Sequence, residues 1–185
     1  MPLNLFNADG NKRRLYMALF HRRASEINSM RWHTALVVMP KTPEGSVKDA
    51  TLFHIVDKID GETKKVIWCF DGPQAIYARS HSLAGLVFIG KLKKDVSDEY
   101  LHQILNRVPN LHYVEENPNW RCRHWVWDAL PLLVGEGVVD KVENISVSGQ
   151  ILWDKLVVLI ETYASRRGYI PCCDSEGVEI DIGFN

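Results

Sequence analysis

The residues best suited to covalent chemistry lie in the stretch EENPNWRCRHWVWDALPLL, residues 115–133. Cys122 is flanked there by Arg121 and Arg123, with His124 two positions on and Trp120, Trp125 and Trp127 close by. A thiolate attacks carbonyl carbon readily, but a free thiol titrates near about 8.5, so a reactive cysteine needs help to ionise. The positive end of a helix and neighbouring cations favour the anion. The stretch reads as a helix start, with Asn117 as cap and Pro118 at the first helical position, or Asn119 as a rival cap. From there Cys122, Trp125, Val126, Ala129, Leu132 and Leu133 follow the i, i+3, i+4, i+7 spacing of one buried face. Pro131 is expected to bend or shorten the helix. The competing reading of Cys122 is a small hydrophobe that finishes a core.

A nucleophilic cysteine needs a base within reach and a group that orients the base. His33 opens RWHTALVVM, residues 31–39, a β-rich run closed by the loop PKTPEG. Alternation puts His33, Ala35, Val37 and Met39 on one face, and a side chain at the strand's start can project into a cleft. His54, in ATLFHIVDK (50–58), shares a face with Leu52 and Val56. It is a candidate to orient His33, or a core-lining histidine satisfied by one hydrogen bond. His124 faces about 200° away from Cys122 on a helix and reads as supporting or structural. Arg121 suits a substrate carboxylate. Trp120, Trp125 and Trp32 suit a flat apolar substrate group beside a carbonyl, and equally a core. Cys122, His124 and His33 are zinc-ligand types, but no ligand spacing supports a site, so no metal and no cofactor are expected.

The positioning elements follow from periodicity. Strands are expected over 13–21, 31–39, 50–58, 64–72 and 83–92, the last two separated by a less regular link at 73–82. A helix over 97–108 is capped by Ser97 and ended by Pro109. An amphipathic helix over about 149–166 carries Ile151, Leu152, Leu156, Leu159, Ile160 and Tyr163 as its stripe, and Gly168 stops it. The tail can add a short edge strand. The fold class is α+β: four to five mostly antiparallel strands followed by helices. Residues 1–12 read as a loose lead-in and 13–185 as one catalytic-like domain, with the C-terminal helix and tail at 149–185.

Hydrophobic residues are 46 % and charged residues 24 %, an ordinary globular balance. A formal charge of −1 gives no bulk electrostatic reason for a nucleic-acid partner. The four cysteines, at 69, 122, 172 and 173, form no C-x-x-C pair and suit a reducing setting. No signal-peptide pattern opens the chain and no apolar run reaches membrane-spanning length, so a cytoplasmic location is expected.

Histidine on an early strand followed by cysteine on a later helix resembles the circularly permuted papain-like fold of the PPPDE (desumoylating isopeptidase-like) and lecithin:retinol acyltransferase-like families. WHTALVV matches their histidine strand at His33. RCRHW matches their N-C-x-H-aromatic motif at Cys122, His124 and Trp125, departing from it at Arg121, where asparagine is usual. The likeness covers about residues 13–133. It implies a Cys-His thiol hydrolase of an amide, isopeptide or ester bond, or an acyltransferase using the same residues. The acyltransferase-like group adds a second histidine, for which His54 is the candidate. A non-catalytic binding module, or a small-molecule cyclase or isomerase, is the alternative.

Overall fold

In the computed structural model of the chain, residues 12–22, 31–110, 113–139 and 149–183 are described. Most of the expected lead-in, and the segment joining the first two strands at 23–30, fall outside them. The strands are β1 (Arg13–His21), β2 (Trp32–Pro40), β3 (Ala50–Ile59), β4 (Val66–Ile76), β5 (Leu83–Lys91) and β6 (Cys172–Cys173). The helices are α1 (Asp98–Leu105), α2 (Cys122–Gly135) and α3 (Gly149–Thr162). The six strands form one sheet in the order β4-β3-β2-β1-β5-β6. All pairings are antiparallel except β5 with β6. The class is α+β, with a mixed rather than purely antiparallel sheet.

Each strand divides its side chains between two apolar layers, as a period of two requires. Leu15, Met17 and Leu19 of β1 and Trp32, Leu36 and Val38 of β2 join Phe53, Ile55 and the buried faces of all three helices. Tyr16, Ala18, Phe20, Ala35, Val37 and Met39 form the second layer with Leu52, Leu86, Cys172 and Ile182. The tail therefore does more than extend an edge: it helps cover the sheet face away from the helices.

Three expectations are corrected. Residues 73–76 continue β4 instead of starting a link. Asn117 and Pro118 form a turn, closed by Trp120 N–H to Asn117 O at 3.0 Å, and α2 begins only at Cys122. Its entry is fixed from inside the helix, where His124 Nδ1 accepts the Arg121 N–H at 2.8 Å. A side chain at the third helical position thus accepts the N–H of the capping residue, the reciprocal half of a capping box, and not the helical N–H that an asparagine cap would have taken. On α3, Ile151 is 47 % exposed, and Leu152, Leu156 and Ile160 are its buried stripe. Ser97 caps α1 as expected, accepting the Tyr100 N–H at 3.1 Å.

Pro131 lies inside α2, which nevertheless runs to Gly135. The helix is held by what it touches: Phe70 of β4 stacks on Trp125 on one side and on His102 of α1 on the other, both at 5.3 Å. The three elements are thereby locked in one aromatic layer. α3 approaches the sheet closely at Gly85, where an added Cβ would lie 2.8 Å from Ile160 Cγ1. Gly85→Ala is expected to cost about 1–3 kcal/mol by forcing α3 outward. Urea unfolding measures this, and an unchanged midpoint would show that the helix–sheet spacing is slack.

Candidate active site

The site begins where two strands part. β2 pairs with β3 only through Leu36–Phe53, Val37–Leu52 and Val38–Thr51. The earlier part of β2, with His33 and Thr34, is paired to β1 alone in the sheet. The first residue of α2 meets it there: Cys122 Sγ accepts the Thr34 N–H at 3.5 Å. That N–H belongs to the His33–Thr34 peptide, so the sulfur rests against the backbone of His33. The Thr34 side chain is also held, its Oγ1 accepting from Trp153 Nε1 of α3 at 3.1 Å.

The two strand histidines meet across the same opening. His33 Nε2 and His54 Nδ1 are 2.8 Å apart, with their rings edge to face at 5.0 Å. Arg22, one residue past β1, places its Nη2 3.3 Å from His33 Nδ1 and 3.9 Å from Asp57 Oδ1. A guanidinium only donates, so Nδ1 must present its lone pair. The neutral His33 proton then sits on Nε2 and is donated to His54 Nδ1. That leaves the His54 proton on its own Nε2, which is buried without a hydrogen-bond partner. One contact at Arg22 therefore sets the tautomer of both imidazoles.

Burial dominates the electrostatics. It pushes the His33 imidazole down to about 3, with His54 and the Arg22 guanidinium adding to the shift. His54 is lowered too, chiefly by burial, against a raising pull from Asp71, its cross-strand neighbour on β4. Burial raises the Cys122 thiol; the Thr34 N–H, Arg22 and the Arg123 N–H oppose it without prevailing. The resting centre is a neutral thiol beside neutral imidazoles. Cys122 is 0 % exposed. The partners of the His33 ring nitrogens are Arg22 and His54, so no imidazole nitrogen is hydrogen-bonded to the sulfur in this arrangement.

Cys122 thus rests against the Thr34 backbone on the helix side of the sheet, while His33 and His54 pair with each other from positions that alternate with that side and share the face of Ala35 and Leu52. The other expected site residues sit around them differently. Trp125 is 0 % exposed, inside the core against Phe70. Trp32 is buried under Arg31, whose guanidinium lies 4.7 Å above its ring. Trp120 is half-buried, edge-on to Trp68 at 5.5 Å. The Arg121 guanidinium turns back to donate to Trp120 O at 2.7 Å. Arg123 lies over Trp127 and Trp153. Among the described residues the cation that acts on the cysteine and His33 together is Arg22, one residue past the end of β1. No periodicity could single it out, because it follows the last strand residue.

Among the described residues no group of three or more His, Cys, Asp or Glu is arranged to hold a metal ion, and no helix is long and apolar enough to cross a membrane. A family model described as "Family of unknown function (DUF6914)" matches residues 12–167, a span that includes Arg22, His33, His54 and Cys122. No curated protein and no solved structure matches the chain.

Two outcomes are expected from these electrostatics. Arg22→Gln removes a positive charge from both reactive groups, so the His33 imidazole titrates higher and Cys122 alkylation moves to higher pH. Imidazole NMR titration and a thiol-labelling profile read the two shifts; an unmoved His33 would place Arg22 elsewhere in solution. The second concerns acid. An unfolded His33 titrates near 6.5 and the folded one near 3. Between those values the unfolded chain binds about one more proton, so stability falls as pH drops from 6.5 toward 3. His33→Gln should flatten that part of a stability-against-pH curve, and an identical slope would contradict the burial argument.

Proposed function

The chain belongs to the DUF6914 family, and we propose that it is a cysteine-dependent hydrolase of an amide, isopeptide or ester bond, built on a permuted papain-like fold. Cys122 is the nucleophile, His33 the base and His54 the group that orients His33. One observation carries this reading: the His33–His54 hydrogen bond and the Cys122–Thr34 contact fall on adjacent residues of the part of β2 that β3 leaves unpaired. The order of elements, histidine strand before cysteine helix, supports it as well.

The chemistry follows from the tautomer. His33 Nδ1 takes the thiol proton as Sγ bonds to the substrate carbonyl carbon and the carbonyl π electrons move to oxygen. The N–H of Cys122 opens α2 and has no carbonyl one turn back within the helix, so it is suited to hold that oxygen. The oxyanion then reforms the carbonyl and expels the leaving nitrogen or oxygen, which receives the proton from His33. The resulting thioester is cleaved by water, and the thiol is regenerated. Replacing water by an amine or alcohol gives acyl transfer with the same residues. Arg22 must leave Nδ1 before the sulfur can use it, and the sulfur must be uncovered before a carbonyl can reach it.

The complete burial of Cys122 favours a second reading, in which the family is a non-catalytic binding module and the thiol is part of its core. Intact-mass analysis after exposure to electrophilic acyl probes separates the two. The hydrolase reading expects a single adduct on Cys122, absent in Cys122→Ala and slowed by about 10²–10⁴-fold in His33→Ala. Equal labelling of the natural chain and His33→Ala would remove the histidine from the mechanism. No labelling of the native fold by any probe would favour the binding module.

A further inference from the structure

A second feature lies beside this site and is chemically unlike it. A cleft of about 510 Å³ opens between the far ends of β1 and β2, the β4–β5 connection and the C-terminal end of α3. Arg31, Arg79, Arg166, Arg167, His21 and His81 line it, and among the described residues no aspartate or glutamate does. The chain as a whole carries a formal charge of −1, so this concentration of cations is local. Basic residues following a helix C-terminus often need no further explanation, because they offset its dipole. That accounts for Arg166 and Arg167. It does not account for Arg31 and Arg79, which come to the same cleft from two other segments.

Among the described residues two carboxylates bear on the cluster. Glu161 pairs with Arg31 at 3.3 Å. Glu179 accepts from the Tyr163 and Tyr169 hydroxyls and is lowered in part by Arg166. Three of the guanidiniums are held in place before anything binds. Arg31 lies on the Trp32 ring at 4.7 Å. Arg166 lies over Tyr163 at 4.6 Å and Tyr169 at 5.5 Å. Arg79 donates to Gly183 O at 2.6 Å. Fixed guanidinium forks lose little freedom on capturing a planar or tetrahedral oxyanion. The volume lies in the range of small-molecule sites, about 300–1,000 Å³.

We propose that this cleft is a binding site for a small multivalent anion bearing phosphoryl or clustered carboxylate groups. The site stands on its own lining and does not require Cys122 to react. His21 and Trp32 border it, and Arg22 and His33, the next residues along, form the contact described above, so an anion here would sit beside that pair. Calorimetric titration with inorganic pyrophosphate and with citrate, at constant ionic strength in sodium chloride, tests the proposal. Saturable binding to one site is expected, weakened about tenfold or more in Arg31→Gln/Arg167→Gln and kept in Arg121→Gln. Binding of pyrophosphate alone identifies phosphoryl chemistry, of citrate alone carboxylate chemistry, and of both a site selective for charge. The absence of binding by either anion overturns the proposal, as does equal affinity in the double arginine variant with its circular dichroism unchanged. Intact thiol labelling with no anion binding would leave the hydrolase reading standing and remove this one.

Discussion

Everything at the thiol depends on β2 and β3 parting after Leu36 and Phe53. A paired β3 would have brought its own carbonyl to the Thr34 N–H. With β3 gone from that position, a buried N–H needs another acceptor, since leaving it unpaired costs about 1–3 kcal/mol. The sulfur at the start of α2 supplies one. The same parting lets His33 and His54 turn toward each other, whereas fully paired strands would hold them at fixed cross-strand spacing. The helix entry is in turn fixed by His124 and by the aromatic layer of Phe70, Trp125 and His102. The reactive geometry is therefore a consequence of where a sheet stops.

The opening also settles the charge state. Low-dielectric surroundings oppose any charged form, so they lower the imidazoles and raise the thiol together. A preformed thiolate–imidazolium pair, the state expected from a helix N-terminus flanked by arginines, is disfavoured at rest. The helix start and its cations are present in sequence, but Arg121 and Arg123 spend their guanidiniums on a carbonyl and on tryptophan faces. Among the described cations it is Arg22 that pulls the thiol down, beside the Thr34 N–H, and it simultaneously lowers His33. A centre of this kind would become reactive on opening, when water raises the dielectric and the guanidinium is drawn away.

The parts of this arrangement that obey a period were legible in the sequence. Five strands, three helices and the faces of His33 and His54 follow from alternation and helical spacing, and Cys122 near a helix start followed from the Pro and Asn punctuation before it. The misses share a cause. Asn117 and Pro118 have the right chemistry for a cap, yet tertiary packing places the helix start four residues later. Trp125 shares the cysteine's stripe, and a stripe cannot say whether its first turn is covered; Phe70 covers it. Arg22 and the basic cleft are assembled from residues between elements, from segments as distant as His21 and Arg167. Convergence of that sort leaves no trace in local spacing.

The choice of a histidine as the third group has a physical consequence. A carboxylate behind the base would stabilise the imidazolium that forms when the base takes a proton. A neutral His54 offers orientation through its Nδ1 lone pair but little charge. Asp71, its cross-strand neighbour, acts on His54 by charge without a hydrogen bond, and its carboxyl is already held low, first by Gln74 and then in part by Lys58, 3.6 Å away. His33 is thus a weak base with a well-defined direction. A hydroxyl nucleophile, with its much higher pKa, would be poorly served by such a base. A thiol needs far less help to lose its proton. On the proposed hydrolase reading, cysteine at position 122 is the nucleophile that this histidine pair is matched to, and a serine in its place should leave the geometry standing without the chemistry.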